Sequence, residues 1–148
     1  MTLEDWLINR WLKKEPTGAS EIADLSALVE RNLSDAGVDA VSLDARLQFA
    51  FNAALCCATI ALRASGYRVP VSEGHHERTI NSLKLTLGAD SRLIAQLNGF
   101  RKKRSNITYD AAGTTSQSEL DNLLEIVNDL YELIRSWLRD NYPDLLSK

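Results

Sequence analysis

Residues Ser42–Gly66 read SLDARLQFAFNAALCCATIALRASG. Leu43, Leu47, Ala50, Phe51, Ala54, Leu55, Ala58 and Leu62 recur there at steps of three and four, the period of a helix with a buried face. Ser42 offers an N-cap hydroxyl, and Gly66 a stop. Alanines and small polar side chains around such a helix let neighbours approach closely on more than one side. The spacing predicts a central helix with the rest of the chain packed about it.

Upstream, Thr2-Leu3-Glu4-Asp5 has the form of a helix start. Leu3, Trp6, Leu7 and Trp11 continue at helical steps as far as Lys13, predicting a short extra helix within residues 1–15. Glu15-Pro16-Thr17-Gly18 ends it, because proline disfavours helical backbone in its predecessor and glycine adds freedom. Ser20 is the expected cap of a second helix facing Ile22, Leu25, Leu28, Val29 and Leu33 inward and ending at Gly37. Downstream, Tyr67–Glu73 reads as a loop. Gly74-His75-His76-Glu77-Arg78 then opens a segment whose Ile80, Leu83 and Leu87 face inward until Gly88. Asp90–Thr108 reads as helix. Ser116-Gln117-Ser118-Glu119 is a capping box for a last helix, running to about Asn141 with Pro143 at its exit. No stretch alternates with period two for long enough to predict a strand, and neither a glycine-rich phosphate loop nor a repeat is present. The expected fold is all-α: a single domain over 1–148, an antiparallel up-and-down bundle of about five to six helices.

With 148 residues, 45% of them hydrophobic, the chain suffices for one core. A net charge of −3 and a pI near 5.4 exclude a protein that coats nucleic acid with its whole surface, so any anion binding must be local. No apolar run reads as long enough to span a bilayer, and Glu4 and Asp5 stand where a signal peptide would be basic, so a cytoplasmic location without membrane contact is expected. Cys56 and Cys57 are neighbours on the central helix and read as reduced thiols. No metal or cofactor is expected.

Positive charge gathers in Phe100-Arg101-Lys102-Lys103-Arg104-Ser105-Asn106-Ile107-Thr108-Tyr109-Asp110. Counting about 100° per residue from Leu93, the apolar Leu97, Phe100 and Ile107 fall near ~40°, ~340° and ~320°. Arg104 falls near ~20°, inside that stripe, with Thr108 near ~60° and Arg101 near ~80° along its edge. A guanidinium on a half-buried face needs an anion, carbonyls or a wet cleft, so Arg104 marks either a structural ion pair or a ligand or interface site. Lys102 and Lys103 point elsewhere and read as a solvated face. Adjacent histidines on a helix diverge, and the chain has no third one, so His75 and His76 read as capping or packing residues or as contributors to an anion cleft rather than as metal ligands.

The alanine-rich central helix, the Gly-His-His segment, the Arg-Lys-Lys-Arg-x-x-x-x-Tyr-Asp stretch and the capped final helix, taken in order over roughly residues 20–142, resemble the HEPN family of bacterial helical-bundle domains. They are similar to its small stand-alone branch, whose helix reads Arg-(Lys/Arg)-(Lys/Arg)-Arg-Asn followed by Tyr-(Asp/Glu). HEPN toxins are metal-independent ribonucleases with an arginine, usually a polar residue next, and a histidine four to six positions past the arginine. A 2′-hydroxyl attacking the adjacent phosphate needs a proton acceptor and a cation for the developing charge, which those side chains supply. Here Arg104 matches the motif arginine, Ser105 the polar position, and Thr108 or Tyr109 stands where histidine belongs. Neither is a good base near neutral pH, since tyrosine has a pKa of about 10.

The resemblance implies a nucleotide- or RNA-binding or toxin–antitoxin-type module with a degenerate ribonuclease motif, its anion site made by Arg101, Arg104, Thr108, Tyr109, His75 and His76. It also implies a homodimer with motif helices facing each other, and a possible nucleotidyltransferase partner. The alternative is a regulatory or antitoxin-like interaction subunit whose arginines meet acidic residues of another chain. Third comes an active ribonuclease, which needs His75 or His76 to act as base from another helix.

Overall fold

The computed structural model describes residues 1–109 and 113–146; the side chains of Thr108 and Tyr109 lie outside the described part. Among the described residues the α-helices are α1 (Leu3–Ile8), α2 (Ala19–Ala36), α3 (Leu43–Ala64), α4 (His75–Asn81), α5 (Leu83–Thr86), α6 (Ser91–Tyr109) and α7 (Gln117–Asn141), followed by a 3-10 turn over Pro143–Leu146. α4 and α5 are separated by Ser82 alone, which is fully buried and donates its hydroxyl to the carbonyl of Thr79 (2.6 Å). The all-α bundle is as expected.

α3 is the central helix. Ser42 caps it through the Ala45 amide (3.2 Å), and it packs against α2, α4, α5, α6 and α7. Leu47, Ala50, Phe51, Ala54, Cys57, Ala58 and Ala61 are sealed from solvent, as are Ile22 and Val29 of α2 and Leu120, Leu123, Val127, Ile134 and Leu138 of α7. Each large aliphatic side chain so buried stabilises the fold by about 1.5–3 kcal/mol. α3 meets, by length and composition, the requirement for crossing a membrane, contrary to the expectation from sequence. Its most apolar window is 61% buried inside the protein, as in a core helix.

Two buried arginines on α3 set the antiparallel packing of α2. Arg46, near the start of α3, donates from Nε to the carbonyl of Ala36, the last residue of α2 (2.8 Å). Near the other end, Arg63 donates from Nε to Glu21 in the first turn of α2 (3.1 Å), from Nη1 to the carbonyls of Glu15 (2.8 Å) and Tyr67 (3.1 Å), and from Nη2 to that of Pro16 (3.0 Å). α7 crosses back along α2, with the Tyr131 hydroxyl donating to Glu30 (2.9 Å). Its Ser116–Glu119 capping box is formed.

Three boundaries differ from the sequence reading. α1 stops at Ile8 rather than running to Lys13, because Arg10 adopts a left-handed conformation (φ 62°) and a Schellman turn closes the helix. Its two bonds are Trp11 N–H to Trp6 O (2.9 Å) and Arg10 N–H to Leu7 O (3.0 Å). Trp11 thus returns to Trp6 through a turn, which mimics helical spacing in the sequence. α2 starts after Gly18 rather than at Ser20, while Thr17 donates its hydroxyl to Glu21 (2.5 Å) across the entry. Lys13–Lys14 (β1) pairs antiparallel with Tyr67–Arg68 (β2), inside the expected loop. Two residues are too few for a period-two pattern.

Arg10→Gly is expected to raise stability by about 0.5–1 kcal/mol, since an L residue in the left-handed region costs more than glycine's extra chain entropy. Thermal melting reads this as a small upward shift.

Candidate functional site

α4 and α6 lie antiparallel and are joined by polar side chains one turn apart. Asn98 donates from Nδ2 to Asn81 Oδ1 (3.0 Å) and accepts at Oδ1 from Arg101 Nε (3.1 Å), while Arg101 Nη2 donates to Glu77 Oε2 (3.1 Å). Arg101 is therefore held in a fixed orientation, although its partner Glu77 is half exposed. One turn further along α6, Arg104 is half-buried, with its guanidinium carbon 5.8 Å from the centre of the Phe51 ring on α3. Leu97 and Ile107 are buried on the same stripe. The stripe has the predicted geometry.

The paired histidines start α4, after Gly74 in a left-handed conformation (φ 77°) that turns the chain into the helix. Their rings do not diverge as the sequence reading supposed. Nδ1 of His75 lies 2.7 Å from the carbonyl of Ser72, which pulls this ring back out of helical register, and the two centroids are 4.1 Å apart with planes at 58°. Burial lowers the pKa of His76, and the positive charges of His75, Arg104 and Arg101 lower it further. Its imidazole is neutral at neutral pH. His76 neighbours Glu77, the partner of Arg101, and α4 and α6 both pack against α3.

Phe51, Leu55 and Thr59 share one face of α3 at four-residue steps. Arg104 lies over the first, and the other two floor a cleft of about 220 Å³ whose walls include Arg63, Arg68, His75, His76 and Thr79. Arg68 binds Glu15 (2.5 Å) and Glu21 (3.5 Å), so most of this cleft's charge is internally compensated. At the other end of the corner, Arg101 is paired with Glu77.

Of the expected site residues, Arg101 is tied to Glu77, the neighbour of His76, Arg104 lies one turn along α6, and the His75 and His76 rings are in tilted contact. Thr108 and Tyr109 lie on the last turn of α6, but their side chains are outside the described residues. Lys102 is exposed, as expected. Lys103 is not part of a solvated face: its Nζ donates to the carbonyl (2.9 Å) and hydroxyl (3.1 Å) of Thr114 and lies 3.5 Å from Glu119, fastening the end of α6 to the start of α7. Asp44, in the first turn of α3, accepts from the Gly113 amide and from the Thr115 hydroxyl (2.6 Å). The Thr115 bond first, then that of Gly113, holds its carboxyl below the usual range.

Arg46, Arg63, Asp44 and the indoles of Trp6 and Trp11 were not singled out from sequence. Arg46 and Arg63 carry the same signal as Arg104, an arginine within an apolar helix face. Cys57 is buried, which pushes its thiol well above the ordinary range, and Cys56 is raised by burial as well. Among the described residues no three His, Cys, Asp or Glu side chains gather as metal ligands would.

Chemically, the guanidiniums of Arg101 and Arg104, the latter over the Phe51 ring, can supply charge-assisted bonds to a phosphate, and the His76 imidazole one further donor or acceptor. Comparisons of the chain with models of known protein families, with curated proteins and with solved structures find no match.

Proposed function

We propose that the protein is a HEPN-like module that binds RNA or a nucleotide through phosphate contacts of Arg101, Arg104, His75 and His76, without needing catalysis. The observation that carries this reading is the tie of Arg101 to Glu77 (3.1 Å), the neighbour of His76 on α4, with Arg104 one turn along α6 over the Phe51 ring, which brings two guanidiniums and a histidine to one corner of the bundle. The acidic overall charge confines binding to this corner. Two copies are proposed to associate through the Arg101–Tyr109 face, and a nucleotidyltransferase is the proposed protein partner. Sedimentation as a monomer at about 100 μM would remove the dimer.

Titration of a labelled single-stranded RNA tests the main reading. Its affinity should fall with salt, with a logarithmic slope of about −1.4 to −2.1 for two or three phosphate contacts. Undetectable binding at low salt would reject it in favour of an interaction subunit whose arginines meet acidic protein.

Glu77 now occupies the guanidinium that phosphate would use. Glu77→Gln should tighten RNA binding about two- to fivefold, the worth of a partly exposed ion pair. Weaker binding would mean that Glu77 serves mainly to orient Arg101.

One observation favours a second reading, the active metal-independent ribonuclease. Histidine and arginine are the side-chain types that proton abstraction and phosphoryl stabilisation use, and Arg101 is tied to Glu77, the neighbour of His76. The leading reading expects intact RNA after incubation in chelator. Cleavage abolished in both His76→Ala and Arg104→Ala would establish the second.

A further inference from the structure

The Schellman turn that closes α1 sets the indoles of Trp6 and Trp11 edge to face, with centroids 5.8 Å apart and planes at 81°. Neither ring is sealed in the core; both keep partial exposure. From α4, Arg78 carries its guanidinium carbon to 5.4 Å from the Trp11 ring centre, extending the aromatic wall with a second planar, cationic group. A hollow of about 270 Å³ is enclosed by Trp6, Trp11, Gly74, Glu77, Arg78 and Asn81. It shares Trp6 and Asn81 with a neighbouring hollow of about 410 Å³, which adds Lys84 and Ser91. Glu77, in its wall, is the residue that holds Arg101. The groove therefore adjoins the cationic corner.

We propose that this groove is the base-binding subsite of a single-stranded RNA, a base stacking on one open indole face of the Trp6–Trp11 pair with Arg78 beside it, while the strand's phosphate rests on Arg101 and Arg104. The inference rests on the phosphate-binding reading above and extends it to the class of ligand. Grooves that follow single strands combine cations for the backbone with aromatic planes for the bases, and every base offers a π-face. The charges favour an anionic strand: Arg78 and Lys84 line the groove against the one carboxylate of Glu77. An anchor for a protein partner is also rich in Trp and Arg but is depleted of Lys and Glu, and Lys84 and Glu77 both line these hollows. The subsite should tolerate sequence, because stacking rather than edge recognition defines it.

The test compares, on the full chain, a labelled oligouridine of about ten nucleotides with an abasic ribose-phosphate oligomer of equal length. Oligouridine should bind the tighter of the two. Trp11→Leu should weaken oligouridine about five- to hundredfold and leave the abasic oligomer unchanged, since stacking on one aromatic ring has that range of effect. Trp11→Tyr should retain most of the affinity, which separates stacking from support of the α1 turn. In a Trp137→Phe background, where Trp6 and Trp11 are the remaining tryptophans, oligouridine should quench fluorescence and the abasic oligomer should not. Equal wild-type affinities for the two oligomers, or equal weakening of both by Trp11→Leu, would overturn the subsite. So would a change in sedimentation of Trp11→Leu with RNA affinity intact, which assigns the groove to a second copy of the chain. Arg101→Ala reports on the phosphate reading separately: it should weaken both oligomers. If it weakens neither while oligouridine keeps its advantage, the phosphate reading fails and the base site stands; if neither oligomer binds, both fail.

Discussion

Arg63→Ala should lower the melting temperature by roughly 10 °C, the largest stability loss expected of any single substitution outside the apolar core. The Arg63 side chain is only 3% exposed. Its nitrogens meet the carbonyls of Glu15, Pro16 and Tyr67 and the carboxylates of Glu15 (3.3 Å) and Glu21 (2.9 Å). Deleting it removes the hub that fastens the segment before α2, the end of α3 and β2. Removing one member of a buried charged network costs about 3–5 kcal/mol, and in a domain of this size each kcal/mol moves the midpoint by about 2–4 °C. Arg63→Lys should rescue little, because a single ammonium cannot match a planar fork with partners in several directions. A calorimetric midpoint within about 2 °C of wild type would show the network to be dispensable.

The acid side of the stability profile follows from the same network. Glu15 is held below its ordinary pKa first by its hydrogen bond from Arg68, and Glu21 first by that from Thr17 and then by Arg63. A carboxyl with a lowered folded-state pKa contributes stability that is complete above its unfolded value and is lost as pH falls through the folded one. The bundle should therefore weaken on acidification below the ordinary carboxylate range.

Arg104→Ala should weaken RNA binding about 10- to 100-fold, the loss of one charge-assisted hydrogen bond of about 1.5–3 kcal/mol, while Lys102→Ala stays within about twofold. The contrast comes from the helix. Arg101 and Arg104 are three residues apart on adjoining angles, one held by Asn98 and Glu77, the other over Phe51, whereas Lys102 projects roughly 160° from Arg104 into solvent. Binding and melting should be measured on the same preparations. A lowered melting temperature with unchanged affinity per folded molecule would make Arg104 structural, and equal losses in the two variants would reduce the site to a diffuse basic patch.

Much of the bundle was legible because its signals are local. The three- and four-residue steps of α3 and α7, the Ser42 cap and the Ser116–Glu119 box depend on neighbours within a turn or two, and each is where the sequence puts it. The angle of Arg104 relative to Leu97 was legible for the same reason. What escaped depends on partners far along the chain. Arg101 with Glu77, Arg63 with Glu15 and Glu21, and Lys103 with Thr114 are choices made by tertiary packing, and helical periodicity carries no record of them. The end of α1 escaped differently: Trp11 lies five residues after Trp6, yet a left-handed Arg10 brings the rings together, so an apolar pattern outlasted the helix that seemed to cause it.

The most direct test of the central claim is an NMR titration of the His76 imidazole with and without bound single-stranded RNA. In the free protein its pKa should lie below the ordinary histidine value, depressed by burial and by His75, Arg104 and Arg101. An RNA phosphate seated among those groups opposes their repulsion and stabilises the imidazolium, so the pKa should rise on binding, and by linkage affinity should increase as pH falls toward that range. An RNA-bound protein whose His76 titrates at the same pH as the free protein would place the phosphate elsewhere and contradict the account.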